Sequence, residues 1–402
     1  MSEAFLPLSV PVVAGNEWTY IKECLDTAWV SSVGAYVERF EEAIRQLTGA
    51  HHAVAVVNGT AGLHIALVAA GVRPGDLVVV PSLTFIATAN AVRHAGADPV
   101  FVDCDQYMNI AVASVRSFLE EACVRGNDGV CRERASGRAV RAVLPVHVYG
   151  RPANMAALQT LADEHGLAVI EDASEALGSR WSGGPLAGRS VGTIGQSGVF
   201  SFNGNKIVTC GGGGMYVTAD ERAAERVRHL TTQAKTDALR FIHDEVGWNY
   251  RLTNIAAALG LAQTEQLAGF IAAKRAQHQL YAELLTDVPG ITLMGVEAGT
   301  QPNYWFHTIV VEPGDFGANK EELMAALRAR RIETRPLWGL LHDQTPYRAC
   351  TAWRVERARW FWDRALNLPC SSNLAPRDVE RVATAIREAG RSVKWTSARA
   401  VF

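Results

Sequence analysis

Short, almost wholly apolar segments alternate with helix-forming segments through the first two-thirds of the chain. The strands predicted from these segments are His52–Val57, Asp76–Val80, Asp98–Val102, Arg141–Val146 and Leu167–Ile170. Helices are predicted among them, over residues 61–70 and 87–94. Strands that are apolar on both faces are typical of a sheet covered by helices on each side. The pattern therefore predicts an α/β architecture.

Later in the chain the pattern changes to a long helical periodicity that starts at Ile255 and continues through Ile271 to Leu285. A strand over His307–Val311 and helices over Lys320–Arg330 and Pro376–Ala389 are predicted after it. Because 402 residues exceed the roughly 250 to 300 that one hydrophobic core accommodates, we predict two domains. The large one covers residues 1–265 and the smaller one covers residues 266–402. The polar segment from Glu120 to Arg138 is predicted to be a surface loop.

Composition narrows the class of protein. The formal net charge of −2 offers no basic surface for nucleic acid or for an anionic membrane. The seven cysteines are scattered without a CxxC pair, which favours reduced thiols over disulfides or a metal site. The N-terminus lacks the pattern of a signal peptide, and no apolar run is long enough to span a bilayer. We therefore predict a cytoplasmic enzyme without a structural metal.

Lys206 stands between a polar turn, Ser201–Asn205, and a run of four glycines, Gly211–Gly214. A lysine amine held in this way is suited to forming a Schiff base with a carbonyl cofactor. Glycines beside it allow the backbone to pack closely against a bound ring. A flexible loop gives the same pattern, so this lysine alone does not establish a site.

Two upstream segments supply what such a cofactor needs. The strand that ends at Val57 runs into Gly59 and Thr60, where a helix begins, and this junction exposes backbone N–H groups that favour a phosphate. Asp172 follows a strand at its carboxyl end, where α/β sheets place ligand groups. A carboxylate there would keep a pyridine nitrogen protonated. Ordinary helix capping remains an alternative for both segments.

Six motifs resemble, in order, the DegT/DnrJ/EryC1/StrS family of pyridoxal-phosphate-dependent sugar aminotransferases. They are Asn58–His64, Pro81–Asn90, Pro145–Gly150, Ile170–Ala173, Ser201–Lys206 and Gly247–Thr253, and the likeness continues in Ile332–Arg335 and Leu341–His342. The resemblance implies the aminotransferase fold of type I, with a mixed, mostly parallel sheet flanked by helices and a smaller C-terminal α+β domain. Residues 16–34 look most like the subgroup associated with legionaminic acid and bacillosamine-type sugars.

The resemblance also assigns roles to the positions that match. Lys206 would hold pyridoxal 5'-phosphate (PLP) covalently and move the proton, and Asp172 would pair with the ring nitrogen. Phe85 matches the aromatic residue that stacks on the ring. The phosphate would be bound by Gly59, Thr60, Ala61 and Ser201. Asn249 matches a residue that the family supplies from the neighbouring subunit, which implies a homodimer with shared active sites.

Glu175 departs from the family pattern, which commonly has His or Gln near the phenolic oxygen of the cofactor. Two anionic oxygens side by side repel each other unless one of them carries a proton. Glu175 is therefore expected to be protonated or turned away from the cofactor.

The reaction implied by the resemblance is a transamination in two halves. An amino acid, expected to be L-glutamate, would convert PLP to pyridoxamine phosphate, and the amine would then pass to a nucleotide-linked 4-keto-6-deoxy sugar. The subgroup likeness favours amination at C4 and UDP as the carrier. The residues whose positions match the sugar-nucleotide site are Trp29, Ser31, Trp305, Arg335 and His342.

Two other functions fit the same family. Some members are dehydratases, but they have His in place of the lysine, so Lys206 argues against this reading. A non-catalytic regulator that binds the cofactor as an effector is the other alternative. The sequence shows neither a helix-turn-helix segment nor a basic patch to support it.

Overall fold

A computed structural model describes residues 4–399 of the chain. Its strands are β1 (His52–Val56), β2 (Leu77–Pro81), β3 (Asp98–Val102), β4 (Cys123–Arg125), β5 (Cys131–Glu133), β6 (Val140–Val143), β7 (Ala168–Asp172), β8 (Arg180–Trp181), β9 (Ser197–Ser201), β10 (Gly214–Thr218), β11 (Lys235–Asp237), β12 (Ile242–His243), β13 (Ile291–Leu293), β14 (Thr300–Gln301), β15 (His307–Val311), β16 (Arg335–Pro336), β17 (Ala352–Trp353) and β18 (Ala365–Leu368). Its helices are α1 (Glu17–Asp26), α2 (Ala35–Thr48), α3 (Gly59–Ala69), α4 (Ala87–His94), α5 (Val112–Ser117), α6 (Met155–His165), α7 (Glu221–Thr231), α8 (Asn254–Thr264), α9 (Leu267–Leu285), α10 (Pro313–Phe316), α11 (Lys320–Ala329), α12 (Arg357–Arg364) and α13 (Pro376–Arg399).

The larger sheet has eight strands in the order β1-β10-β9-β7-β6-β2-β3-β17. Strands β9, β7, β6, β2, β3 and β17 run parallel to one another. Strand β10 is antiparallel to both β1 and β9. The sheet is thus mixed and mostly parallel, as predicted. The parallel strands bring their carboxyl ends to one edge, and the loops that follow β2, β6, β7 and β9 meet there.

Both faces of this sheet are buried, which explains the continuous apolar runs in the sequence. In β2, Leu77 and Val79 belong to one hydrophobic core, whereas Val78 and Val80 belong to the core on the opposite face. The prediction of a helix-covered sheet is therefore confirmed.

A second, antiparallel sheet of four strands has the order β13-β15-β18-β16 and is formed from residues after 265. Strand β17 also comes from this part of the chain, but it pairs with β3 at the edge of the larger sheet. The division into residues 1–265 and 266–402 stays a prediction.

Three features differ from the sequence-based expectations. The segment predicted as a surface loop, Glu120–Arg138, contains the antiparallel hairpin β4–β5, in which Cys123 and Cys131 are buried in the core. The helix predicted to run from Ile255 to Leu285 is two helices, α8 and α9, with a bend of 56° between them. Periodicity did not reveal this bend because apolar positions resume immediately after it. Strands β9 and β10, which flank Lys206, were not predicted.

Within residues 4–399, no single helix is long and apolar enough to cross a membrane. The pair α8 and α9 meets the length and composition criteria only when both helices are taken together across their bend.

Candidate active site

A cavity of about 560 Å³ opens at the edge where the parallel strands end. Its walls come from the loops after β1, β2, β6, β7 and β9, and from the smaller sheet. Of the predicted site residues, those that line it are Gly59, Thr60, Phe85, Asp172, Glu175, Ser201, Lys206, Trp305 and Arg335. Residues scattered over more than half of the sequence are thus brought to one cavity.

One end of the cavity is formed by the start of α3. The Asn58 side chain caps this helix by accepting a hydrogen bond from the Ala61 N–H at 2.8 Å. Gly59 packs so closely that a Cβ atom there would lie 2.9 Å from the Ser201 Cβ and 3.2 Å from the Ser174 Oγ. Two hydroxyls therefore face the positive end of a helix dipole, an arrangement that favours a phosphate. The Ala61 N–H is already used in the cap, and Ala61 does not line the cavity.

Asp172 is the last residue of β7 and is only 4% exposed. Its Oδ2 accepts a hydrogen bond from Thr88 Oγ1 at 2.8 Å, and its Oδ1 accepts one from the Ser174 N–H at 3.1 Å. Thr88 follows Phe85 by three residues, so the segment that carries the predicted stacking ring also holds the carboxylate in place. These two donors fix the orientation of a buried acid that faces the cavity.

Lys206 lies in the turn between β9 and β10, with its amine beside an acid and an aromatic ring. The Nζ is 3.5 Å from Glu175 Oε1 and 4.0 Å from the ring centroid of Trp305. Trp305 is held by the hydrogen bond that its Nε1–H donates to the Asn205 carbonyl at 2.7 Å. The amine is thus confined at the cavity wall rather than free in a flexible loop.

Glu175 faces the lysine and is not turned away. Its other oxygen, Oε2, accepts a hydrogen bond from the Tyr149 N–H at 2.8 Å. Burial raises the pKa of Glu175 to about 7, although the charge of Lys206 opposes this shift. This raised pKa is compatible with the protonated alternative, and the role of Glu175 toward the cofactor stays a prediction.

The raised pKa of Glu175 has a measurable consequence in the cofactor-free protein. The folded chain keeps a proton on this carboxyl up to about pH 7, whereas the ordinary value is 4.5. Burial of Glu175 therefore lowers the free energy of unfolding. The size of this loss increases from pH 4.5 to about pH 7 and is constant at higher pH. We expect the free energy of unfolding of Glu175→Gln, relative to the parent, to rise from pH 4.5 to pH 7 by up to roughly 3 kcal/mol.

Urea unfolding at pH 5, 6, 7 and 8 measures this difference. The constant offset between the two proteins also contains the lost contact with Lys206, so only its change with pH is diagnostic. Parallel pH profiles for the two proteins would contradict the raised pKa.

Phe85 is 51% exposed, and its ring centroid lies 6.2 Å from that of Trp338. A core phenylalanine would be buried, so this exposure favours a ring that is available to a ligand. Its position on the cavity wall agrees with the stacking role predicted for it.

Four other predicted site residues do not line this cavity within one chain. Trp29 is 55% exposed, and the Trp29 and Ser31 carbonyls accept hydrogen bonds from Asn254. Asn249 lies beside Arg251, whose Nε donates to its Oδ1 at 3.3 Å. His342 Nδ1 forms a hydrogen bond with Ser82 Oγ at 2.6 Å. This bond links the loop after β2 to the segment that connects β16 with β17. The substrate roles of Trp29, Ser31 and His342 and the cofactor role of Asn249 stay predictions.

His147, a neighbour of the cavity in sequence, has both ring nitrogens occupied. The Ala153 N–H donates to Nδ1 at 3.0 Å, so Nε2 carries the proton and donates to Glu171 Oε2 at 3.0 Å. Glu171 also accepts backbone N–H groups from the turn at residues 192–195. This buried pair anchors the loops behind the site and does not face the cavity.

Several cavity residues were not predicted from the sequence, among them Thr88, Ser174, Tyr149, Trp338 and Asn367. Tyr149 lies inside the motif Pro145–Gly150, so the local sequence could have indicated its place in the site. Asn367 is in β18 of the smaller sheet, and nothing in its local sequence indicates that it reaches the cavity. Trp338 follows Arg335 by three residues and had no separate signal.

The fold and the cavity together define a class of enzyme, one that holds a phosphorylated carbonyl cofactor on a lysine. Comparison with known proteins identifies this class more closely. The model of the DegT/DnrJ/EryC1/StrS aminotransferase family matches residues 12–387. The chain therefore belongs to this family and is a PLP-dependent sugar aminotransferase.

Individual relatives agree with this assignment over nearly their whole length. A GDP-perosamine synthase of Caulobacter vibrioides is 36% identical over 95% of this chain and 97% of its own. A GDP-perosamine synthase of Escherichia coli O157:H7 is 34% identical over 96% of this chain and 98% of its own. The crystal structure of DesI with its TDP-sugar product superposes with a TM-score of 0.86 at 30% identity, covering 99% of this chain and 96% of that one.

The residues around the cavity fit PLP. The start of α3 with the Ser174 and Ser201 hydroxyls would hold the phosphate, Phe85 would contact the ring face, and Asp172 would face the ring nitrogen. Lys206 is the amine available for covalent attachment. This donor set matches each polar group of the cofactor without leaving Asp172 or Glu175 unpaired in the buried wall.

Proposed function

We propose that this enzyme transfers an amino group from L-glutamate to the C4 keto group of a nucleotide-linked 4-keto-6-deoxy sugar. The observation that carries the proposal is the convergence of Lys206, Asp172 and the start of α3 on one cavity. The cavity also has aromatic and polar walls from the smaller sheet, which leave room for a substrate beside the cofactor.

The side chains would divide the chemistry among them. PLP supplies an electron sink that weakens a C–H bond of the bound amino acid. The Lys206 Nζ would be the base that takes and returns the substrate proton. The Asp172 carboxylate, oriented by Thr88 and Ser174, would keep the ring nitrogen protonated. A protonated Glu175 would donate a hydrogen bond to a cofactor oxygen that an ionised Glu175 would repel.

The sugar carrier has two candidates. The resemblance of residues 16–34 to the legionaminic acid and bacillosamine-type subgroup supports a UDP-4-keto-6-deoxy-GlcNAc type of acceptor. Two relatives, at 36% and 34% identity, are GDP-perosamine synthases, and their names favour a GDP-linked acceptor instead. Both candidates are sugar nucleotides with the same kind of reacting carbonyl.

A panel of UDP-, GDP- and dTDP-linked 4-keto-6-deoxy sugars, each incubated with L-glutamate, tests the proposal. We expect 2-oxoglutarate and a C4-amino sugar, the latter identified by NMR, with one carrier strongly preferred. A deoxygenated product without keto acid would indicate the dehydratase alternative, and cofactor binding without any turnover would indicate the regulator. Amination at C3 would contradict the assigned position.

We further propose that the enzyme is a homodimer whose active sites contain residues of both subunits. Large apolar side chains on and beside the hairpin β11–β12 are strongly exposed, namely Leu239 (83%), Phe241 (70%), Ile242 (51%) and Val246 (81%). Apolar surface of this extent is typical of an interface. A dimeric mass by light scattering, lost in Leu239→Asp/Phe241→Asp, would support the proposal, and a monomeric active enzyme would contradict it.

A further inference from the structure

The backbone conformation of Tyr149 directs its N–H and its ring to different parts of the site. Its φ is +56°, in the left-handed region that residues other than glycine rarely adopt. The N–H points to Glu175, as described above, while the ring lies in the cavity wall beside the smaller sheet. Strained backbone of this kind occurs preferentially at functional sites, where the surrounding structure holds it in place.

The Tyr149 hydroxyl accepts one hydrogen bond and has a proton to donate. Asn367 Nδ2 donates to it at 3.0 Å, and the direction of this amide is set because Asn367 Oδ1 accepts from Thr308 Oγ1 at 2.7 Å. Among residues 4–399, no group accepts the hydroxyl proton of Tyr149. Burial raises the pKa of this hydroxyl far above its usual range, so it stays a neutral donor. Both Tyr149 and Asn367 line the cavity, so a ligand bound there can accept this proton.

Three aromatic rings pack around the ring of Tyr149. The Tyr149 ring centroid lies 4.7 Å from that of Trp338, 5.2 Å from that of Phe306 and 5.9 Å from that of Trp305. Trp338 also contacts Phe85 and is only partly buried, so a face of its indole is available in the cavity. Apolar rings combined with one directed neutral donor suit a pyranose, which has C–H faces and many oxygen acceptors. The carboxylates of an amino acid require charged donors instead.

We propose that Tyr149 and Trp338 form the acceptor-sugar subsite of this enzyme, an assignment that rests on the proposed function. The Tyr149 hydroxyl donates a hydrogen bond to an oxygen of the pyranose, and Trp338 packs against its C–H face. Asn367 and Thr308 act through Tyr149 as positioning residues, because they fix which lone pair of the hydroxyl is already used.

Tyr149→Phe in the PLP-loaded enzyme tests the subsite, because it removes the hydroxyl and keeps the ring. Calorimetry would measure three probe pairs: UDP-GlcNAc with UDP, GDP-mannose with GDP, and dTDP-glucose with dTDP. For the sugar nucleotide that binds the parent enzyme most tightly, we expect Kd to rise about tenfold, as for loss of one neutral hydrogen bond. The Kd of the matching nucleoside diphosphate should change by less than about twofold. Trp338→Leu should give the same contrast through lost packing.

The half-reaction with L-glutamate alone provides a second readout, and its rate should fall by a much smaller factor in Tyr149→Phe than the affinity for the sugar nucleotide does. Tyr281→Phe is the matched control, because it removes another buried hydroxyl, which donates to the Pro369 carbonyl at 3.0 Å and does not line the cavity. Thr308→Val should weaken sugar-nucleotide binding less than Tyr149→Phe does, since the ring hydroxyl remains.

Several outcomes would overturn the subsite. Unchanged sugar-nucleotide binding in Tyr149→Phe, or equal weakening of the nucleoside diphosphate, would show that the hydroxyl does not contact the sugar. Equal slowing of the glutamate half-reaction would show that Tyr149 acts through Glu175 instead. Failure of the parent enzyme to bind any sugar nucleotide more tightly than its diphosphate would also count against it. Failure of the proposed function is distinguishable, because it would be seen as absent amino transfer in the parent enzyme.

Discussion

Replacing Lys206 by alanine is expected to abolish transamination and the covalent attachment of PLP together. Among the residues that the structure describes, Lys206 is the one lysine that lines the cavity, and its Nζ is held between Glu175 and Trp305. Both the attachment and the proton transfer depend on it, so turnover should fall by at least about 10⁵-fold, in the range seen when a group essential to the chemical step is removed. Borohydride reduction followed by peptide mass spectrometry measures the attachment, and keto acid production measures turnover.

Lys22→Ala is a suitable control, because Lys22 is a surface lysine paired with Asp26 and should keep both properties. The variant Lys206→Ala should still fold and bind PLP noncovalently through the start of α3. A borohydride-trapped cofactor adduct in this variant would show that another amine carries the cofactor, and the assignment of Lys206 would then be wrong.

Asp172→Asn should give the second-largest loss. Asparagine occupies the same volume and retains hydrogen-bonding contact with Thr88 and Ser174, so the fold should be preserved. It lacks the charge that keeps the ring nitrogen protonated, and the electron sink is weakened as a result. We expect kcat to fall by about a thousandfold or more, comparable to the loss of a buried charge-stabilising group.

The absorbance spectrum of the bound cofactor gives an independent measurement, because it responds to the protonation of the ring nitrogen. Thr88→Val keeps the Asp172 carboxylate but removes one of its two hydrogen-bond donors. We therefore expect kcat to fall much less in Thr88→Val than in Asp172→Asn. Asp163→Asn, at an exposed position of α6, serves as the matched control. An Asp172→Asn enzyme with nearly full activity would refute the proposed pairing.

Much of the larger sheet could be predicted because its central strands are continuous apolar runs. The strands β9 and β10 escaped prediction because glycines weaken their pattern. Those glycines are required by packing: a Cβ at Gly198 would lie 2.2 Å from the Gly192 carbonyl oxygen, and one at Gly214 would lie 2.7 Å from the Asn58 carbonyl carbon. Such close approaches of distant backbone segments are absent from any local pattern.

The candidate site shows the same limit in a different way. Lys206, Asp172 and the Gly59–Thr60 turn lie in local motifs, so their roles could be predicted from sequence. The pairing of Tyr149 with Asn367 joins residues that are 218 positions apart and depends on how the two sheets meet. Trp29 and Asn249 do not line the cavity within one chain, so their site roles stay predictions.

The walls of the cavity also have a consequence for how the enzyme is made. Leu8 lines it, and the Leu8 N–H and carbonyl are bonded to the Glu333 side chain and the Cys370 N–H, in the last fifth of the chain. During synthesis this first wall segment therefore lacks the groups that anchor it until residues 333 and 370 have been made. We expect the complete cavity, and with it cofactor binding, to form only after those residues are in place.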